Sequence, residues 1–69
     1  MTHKEYLQNV GMELKVARIR QRLSINALAK VTGLSDQAIQ LLEKGTKDGH
    51  ILTYKRIVDA LGISLKDIF

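Results

Sequence analysis

The stretch Ser24 to Gly45, SINALAKVTGLSDQAIQLLEKG, constrains the fold of this chain more than any other. It reads as two short helices joined by a tight turn, the second presenting polar side chains. Ser24 is placed to cap the first helix by accepting a backbone N–H, and Ala27, Leu28, Ala29 and Lys30 continue it with good helix formers. Gly33 is the stop, since glycine takes the left-handed conformation of a helix end at little steric cost. Ser35 is a fresh N-cap, Asp36 suits the new helix dipole, and Gly45 ends that helix after about Lys44.

Apolar spacing predicts how the two helices meet. Leu28, Ala29, Leu34, Ile39 and Leu42 form one inward set, with Ala29 small enough for a close crossing. Asp36, Gln37, Gln40, Leu41 and Lys44 are left on the outer surface of the second helix.

The pattern LA-x(3)-GLS-x(3)-I-x(2)-LE-x-G, carried by Leu28, Ala29, Gly33, Leu34, Ser35, Ile39, Leu42, Glu43 and Gly45, resembles the helix-turn-helix of the phage-repressor class (lambda-repressor-like, Cro-like, XRE-like). Arg18 and the downstream ALGISLKDIF extend the resemblance over roughly residues 10 to 69. It implies an all-α, five-helix lambda-repressor-like domain whose second motif helix lies in the DNA major groove.

Composition is consistent with one small domain spanning residues 1 to 69. Proline and cysteine are absent, so disulfides and cysteine metal sites are excluded and helix packing must supply stability. Apolar runs are too short for a membrane span or a secretory core, and a cytoplasmic protein is the expectation. The net charge of +4 is unevenly spread. Lys4, Lys15, Arg18, Arg20, Arg22 and Lys30 stand against Glu5 and Glu13 in residues 1 to 34, whereas residues 35 to 69 balance five basic against five acidic side chains. That suits a polyanionic partner and equally an ordinary solvated surface.

In chain order, Leu7, Val10, Leu14 and Ala17 share a helical face, and the spacing predicts a first helix including Leu14 to Gln21. Gly11 costs about 1 kcal/mol there against alanine, which favours a separate or frayed turn before it. Met12, Val16 and Ile19 form a second stripe, expected in the core, with a subunit contact as the alternative. Further on, Ile51, Tyr54, Ile57, Val58 and Leu61 describe a helix buried on one side and ended by Gly62. Ser64 is set to cap a fifth, short helix, with Leu65, Ile68 and Phe69 folding back on helix 1. Phe69 is also a candidate dimer contact.

Catalysis needs a nucleophile, a base and an orienting group, or a metal. His3 and His50 are isolated, the serines stand at N-caps, and no carboxylate pair or glycine-rich phosphate loop is legible. Neither an enzyme nor a cofactor is expected.

The resemblance assigns the remaining roles. It implies a structural ion pair between Arg18 and Glu43, and phosphate contacts along the loop after Gly45, where Lys44, Thr46, Lys47 and His50 gather around an Asp48–Gly49 turn. Asn26 and Ser35 join that phosphate set. Repressors of this class often open the first motif helix with a phosphate-binding glutamine, and this chain has Ile25 instead, leaving Asn26, Arg20 or Arg22 as nearby replacements. Gln37 is the best base reader, able to donate and accept at an adenine edge, with Gln40 beside it. Asp36 can accept from a cytosine amino group and repel other contacts; Leu41 either meets a thymine methyl or covers the junction with the first motif helix.

Two functional classes remain. One is a sequence-specific transcriptional regulator, a repressor binding double-stranded DNA as a homodimer on a palindromic operator. The other is an antitoxin or protein-interaction module on the same fold, favoured by Ile25, Asp36, Leu41 and the Met12–Val16–Ile19 stripe.

Overall fold

The computed structural model describes residues 2–46 and 49–69, and every regular element among them is helical. Helix α1 runs His3–Arg20, α2 Ile25–Thr32, α3 Asp36–Lys44 and α4 Ile51–Leu61, and a three-residue 3-10 turn, Leu65–Asp67, follows. There are thus four α-helices where five were expected. The C-terminal segment closes only a single 3-10 turn, whose start is fixed by Ser64, which donates its N–H to Asp67 Oδ2 at 2.9 Å and its hydroxyl to the same oxygen at 3.2 Å. Ile68 then enters the core directly.

Helix α1 is one continuous rod, with no break before Leu14. Its start is fixed by Thr2, whose Oγ1 accepts from the Glu5 N–H at 3.1 Å. Gly11 stays helical within it because tertiary contact outweighs its propensity: its backbone lies directly against the C-terminal carbonyls of α3. The helix ends without a glycine, as Arg22 takes φ 58° while its N–H donates to the Ile19 carbonyl at 2.9 Å.

The core lies where all four helices converge. Val10 and Leu14 from α1, Leu28 and Ala29 from α2, Ile39 and Leu42 from α3, and Tyr54, Ile57, Val58 and Leu61 from α4 pack together with Ile68. Each fully buried leucine or isoleucine contributes about 1.5–3 kcal/mol, which makes this cluster the main source of stability in a chain without disulfides. Phe69 closes the bottom, its ring edge-on to Tyr54 at 5.2 Å and 6.3 Å from Tyr6 of α1.

Three expected core positions are exposed instead. Met12 and Ile19 are 56% and 53% exposed, because α1 presents only its Leu7–Val10–Leu14–Arg18 side to the bundle. Ile51 is 57% exposed as well; it opens α4 one turn before the helix reaches the core at Tyr54.

Candidate nucleic-acid interface

The α2–turn–α3 unit is built by the local chemistry its sequence carries. Ser24 Oγ accepts from the Ala27 N–H and Ser35 Oγ from the Ala38 N–H, each at 3.0 Å, so both helices have side-chain N-caps. Between them Gly33 takes φ 76°. Thr32 tightens the turn from inside: its buried hydroxyl donates to the Leu28 carbonyl at 2.8 Å and accepts from the Leu34 N–H at 3.3 Å.

Successive residues turn about 100° around a helix, and on α3 this sorts the side chains cleanly. Ile39 and Leu42 point into the core. Asp36, Gln37, Gln40 and Lys44 are all exposed and share the opposite face. Leu41 and Glu43 lie at the two edges of that face, Leu41 half-buried and Glu43 with its carboxylate side chain turned inward. Beyond Leu41 is an apolar groove lined by Leu34, Ala38, Leu42, Gly49, His50 and Thr53; beyond Glu43 is a charged one lined by Lys15, Arg18, Ile25, Gln40 and Lys44. Leu41 lines the groove toward the start of α4 and keeps part of its side chain open at the outer face.

Helix α3 is tied down at its C-terminal end. Arg18 donates from Nε to Glu43 Oε2 at 2.7 Å, from Nη2 to Oε1 at 3.0 Å and from Nη1 to the Leu23 carbonyl at 2.8 Å. Both side chains are almost wholly buried, and Glu43 holds the guanidinium above its already high ordinary pKa. A planar fork bonded at three points fixes an angle as well as a distance. Next to it, a Cβ on Gly45 would fall 2.5 Å from Gln8 Cα, and Gly45 itself has φ 69°, so two independent constraints require glycine there.

The other sequence-predicted residues divide by position. Ser35 is exposed at the cap of α3, with its oxygen engaged by Ala38. Asn26 is exposed on α2 but does not line either groove beside α3. Thr46 donates to the Leu41 carbonyl at 3.4 Å, and His50 is exposed at the cap position of α4, making no side-chain cap bond. Lys47 and the Asp48 half of the expected turn lie outside the described residues. Arg20 is turned away, lining a hollow with Glu13, Ile63 and Asp67 on the far side of α1, which removes it as a substitute anchor near Ile25. Lys15 and Thr53 border the α3 face without having been singled out. The residue types gave no signal for either, because only the packing of α1 and α4 on α3 brings them there.

Among the described residues no three His, Asp or Glu side chains gather as a metal site, and no helix is long and apolar enough to cross a membrane.

Comparison with known proteins agrees with this geometry. The sequence matches the model of the helix-turn-helix family over residues 14–68. The fold is similar to the restriction-modification controller protein C.AhdI from Aeromonas hydrophila, with a TM-score of 0.87 and 25% identity over 91% of this chain and 96% of that one. No curated protein sequence matches the chain.

Proposed function

The chain belongs to the XRE-type helix-turn-helix family and is a DNA-binding transcriptional regulator rather than an enzyme, and from that premise we propose that it represses by binding a palindromic operator as a homodimer. The observation that carries this reading is the α3 face: Asp36, Gln37, Gln40 and Lys44 exposed together on a helix whose other end is clamped by Arg18 and Glu43. Direct readout needs such a face. A base edge is discriminated by hydrogen-bonding groups whose positions are fixed before contact, and a helix of this width fits the major groove.

In this proposal Gln37 and Gln40 read base edges, Asp36 selects by acceptance and repulsion, and Leu41 offers its open edge to a thymine methyl. Ser35, Asn26, Lys44, Thr46, Lys47 and His50 position the domain on phosphates. A single domain this small covers little DNA, so two copies about one helical turn apart supply affinity and explain a palindromic site. The likeness to a restriction-modification controller protein supports a controlling role.

The exposed Met12–Ile19 stripe favours a second reading, a protein-interaction module of the antitoxin type. Selection of genomic fragments by the purified protein, across salt concentrations and with its mass in solution measured alongside, separates the two. An inverted repeat recovered by a dimer, with affinity falling steeply as salt rises, is the expected result. Failure to enrich any sequence would instead favour the protein partner.

A further inference from the structure

We propose that the groove on the Glu43 side of α3 is a binding site for a backbone phosphate of DNA, held between Lys15 of α1 and Lys44 of α3. The inference rests on the DNA-binding reading and adds to it a site and a residue, Lys15, that the sequence did not suggest. The groove is lined by Lys15, Arg18, Ile25, Gln40, Glu43 and Lys44, so it opens beside a side chain of the α3 reading face.

Its charge is what singles it out. Both oxygens of Glu43 are taken by Arg18, and the third Arg18 bond goes to a backbone carbonyl, so the pair is internally neutral and each of its nitrogens and carboxylate oxygens has a partner. Lys15 and Lys44 are exposed, and among the described residues neither forms an ion pair. Two uncompensated cations thus face one opening whose carboxylate is already neutralised. Ile25 completes the wall with an apolar side chain that offers an anion no hydrogen bond.

Position supplies the ligand. With α3 at base edges, the sugar-phosphate strands pass along its two flanks, and on this flank the cations come from two different helices. Arg18, locked at three points, keeps α1 and α3 at a fixed separation, so a phosphate held across the groove would also fix how far α3 enters the DNA. Lys44 alone has a simpler role, complementing the negative end of α3. Lys15 sits mid-helix, where no helix-dipole role accounts for it.

The test measures binding of a random-sequence duplex as a function of salt for the wild-type protein, Lys15→Gln, Lys15→Arg and Lys66→Gln. Lys66 is an exposed lysine on the 3-10 turn and serves as the charge control. Lys15→Gln is expected to lower the salt slope by about one and weaken binding about tenfold at 0.1 M salt, with the unfolding midpoint unchanged. Lys15→Arg should retain the slope and Lys66→Gln should leave it alone. Salt-dependent binding by the wild type with the same slope in Lys15→Gln would overturn the groove site while leaving the DNA-binding reading intact. No binding by the wild type at low salt would overturn both.

Discussion

Gly11 of α1 and Glu43 of α3 meet backbone against backbone: a Cβ at Gly11 would lie 2.5 Å from the Glu43 carbonyl oxygen, and it would also collide with the Leu42 carbonyl. Alanine at this position gains about 1 kcal/mol of helix propensity, but overpacking against atoms that cannot rotate away costs about 1–3 kcal/mol. The neighbours are backbone, so the clash outweighs the gain. Gly11→Ala is expected to lower the thermal midpoint, and a raised midpoint would show that α1 and α3 are farther apart than described.

The Arg18–Glu43 pair sits about two turns further along α1 in the same contact. Glu43→Ala would leave the guanidinium buried without its partner, a loss of about 3–5 kcal/mol. In a domain of this size each kcal/mol corresponds to about 4–8 °C, so thermal unfolding should move by well over ten degrees, roughly, and a midpoint like the wild type's would contradict a buried pair. Glu43→Gln, which keeps an acceptor but no charge, should fall between the two.

Much of this was legible because it is local. Ser24, Gly33, Ser35, Gly45 and Gly62 act on their own helix ends, and each stands at the cap its residue type suggests. What depended on how helices cross was not legible. Gly11 looked like a helix breaker until α3 supplied the reason for it, and Met12 and Ile19 looked like core until α1 proved to turn only one side inward. Arg22 ends α1 in a conformation that a sequence search assigns to glycine, so the start of the loop carried no signal. Lys15 and Arg20 are both basic residues of α1, yet they border different hollows, a distinction fixed by helix phase relative to α3 and not by residue type.

Base reading by α3 has a direct mutational signature. Gln37→Ala should relax preference at one operator position at a cost of about 1–3 kcal/mol, measured as competition between operator variants. An equal loss on every sequence would assign Gln37 to general attachment.

Acid should loosen the C-terminal turn. The Ser64 backbone N–H, donating to Asp67, holds that carboxyl below the usual aspartate range. A lowered folded-state pKa gives stability that is fully present above the unfolded value, about 3.9, and is lost as pH falls through the folded value. Asp67→Asn should therefore flatten this part of the stability profile below about pH 4. A profile with the same acid limb as the wild type would exclude Asp67 as a contributor.

The central claim is that the outer face of α3 meets DNA. Its most direct test is a map of backbone amide chemical shifts as the protein is titrated with its selected operator duplex. Perturbations concentrated on Asp36, Gln37, Gln40 and Lys44, and extending to Lys15 and His50 on the flanks, are expected. Perturbations confined to Met12, Val16 and Ile19, with the α3 face silent, would contradict it.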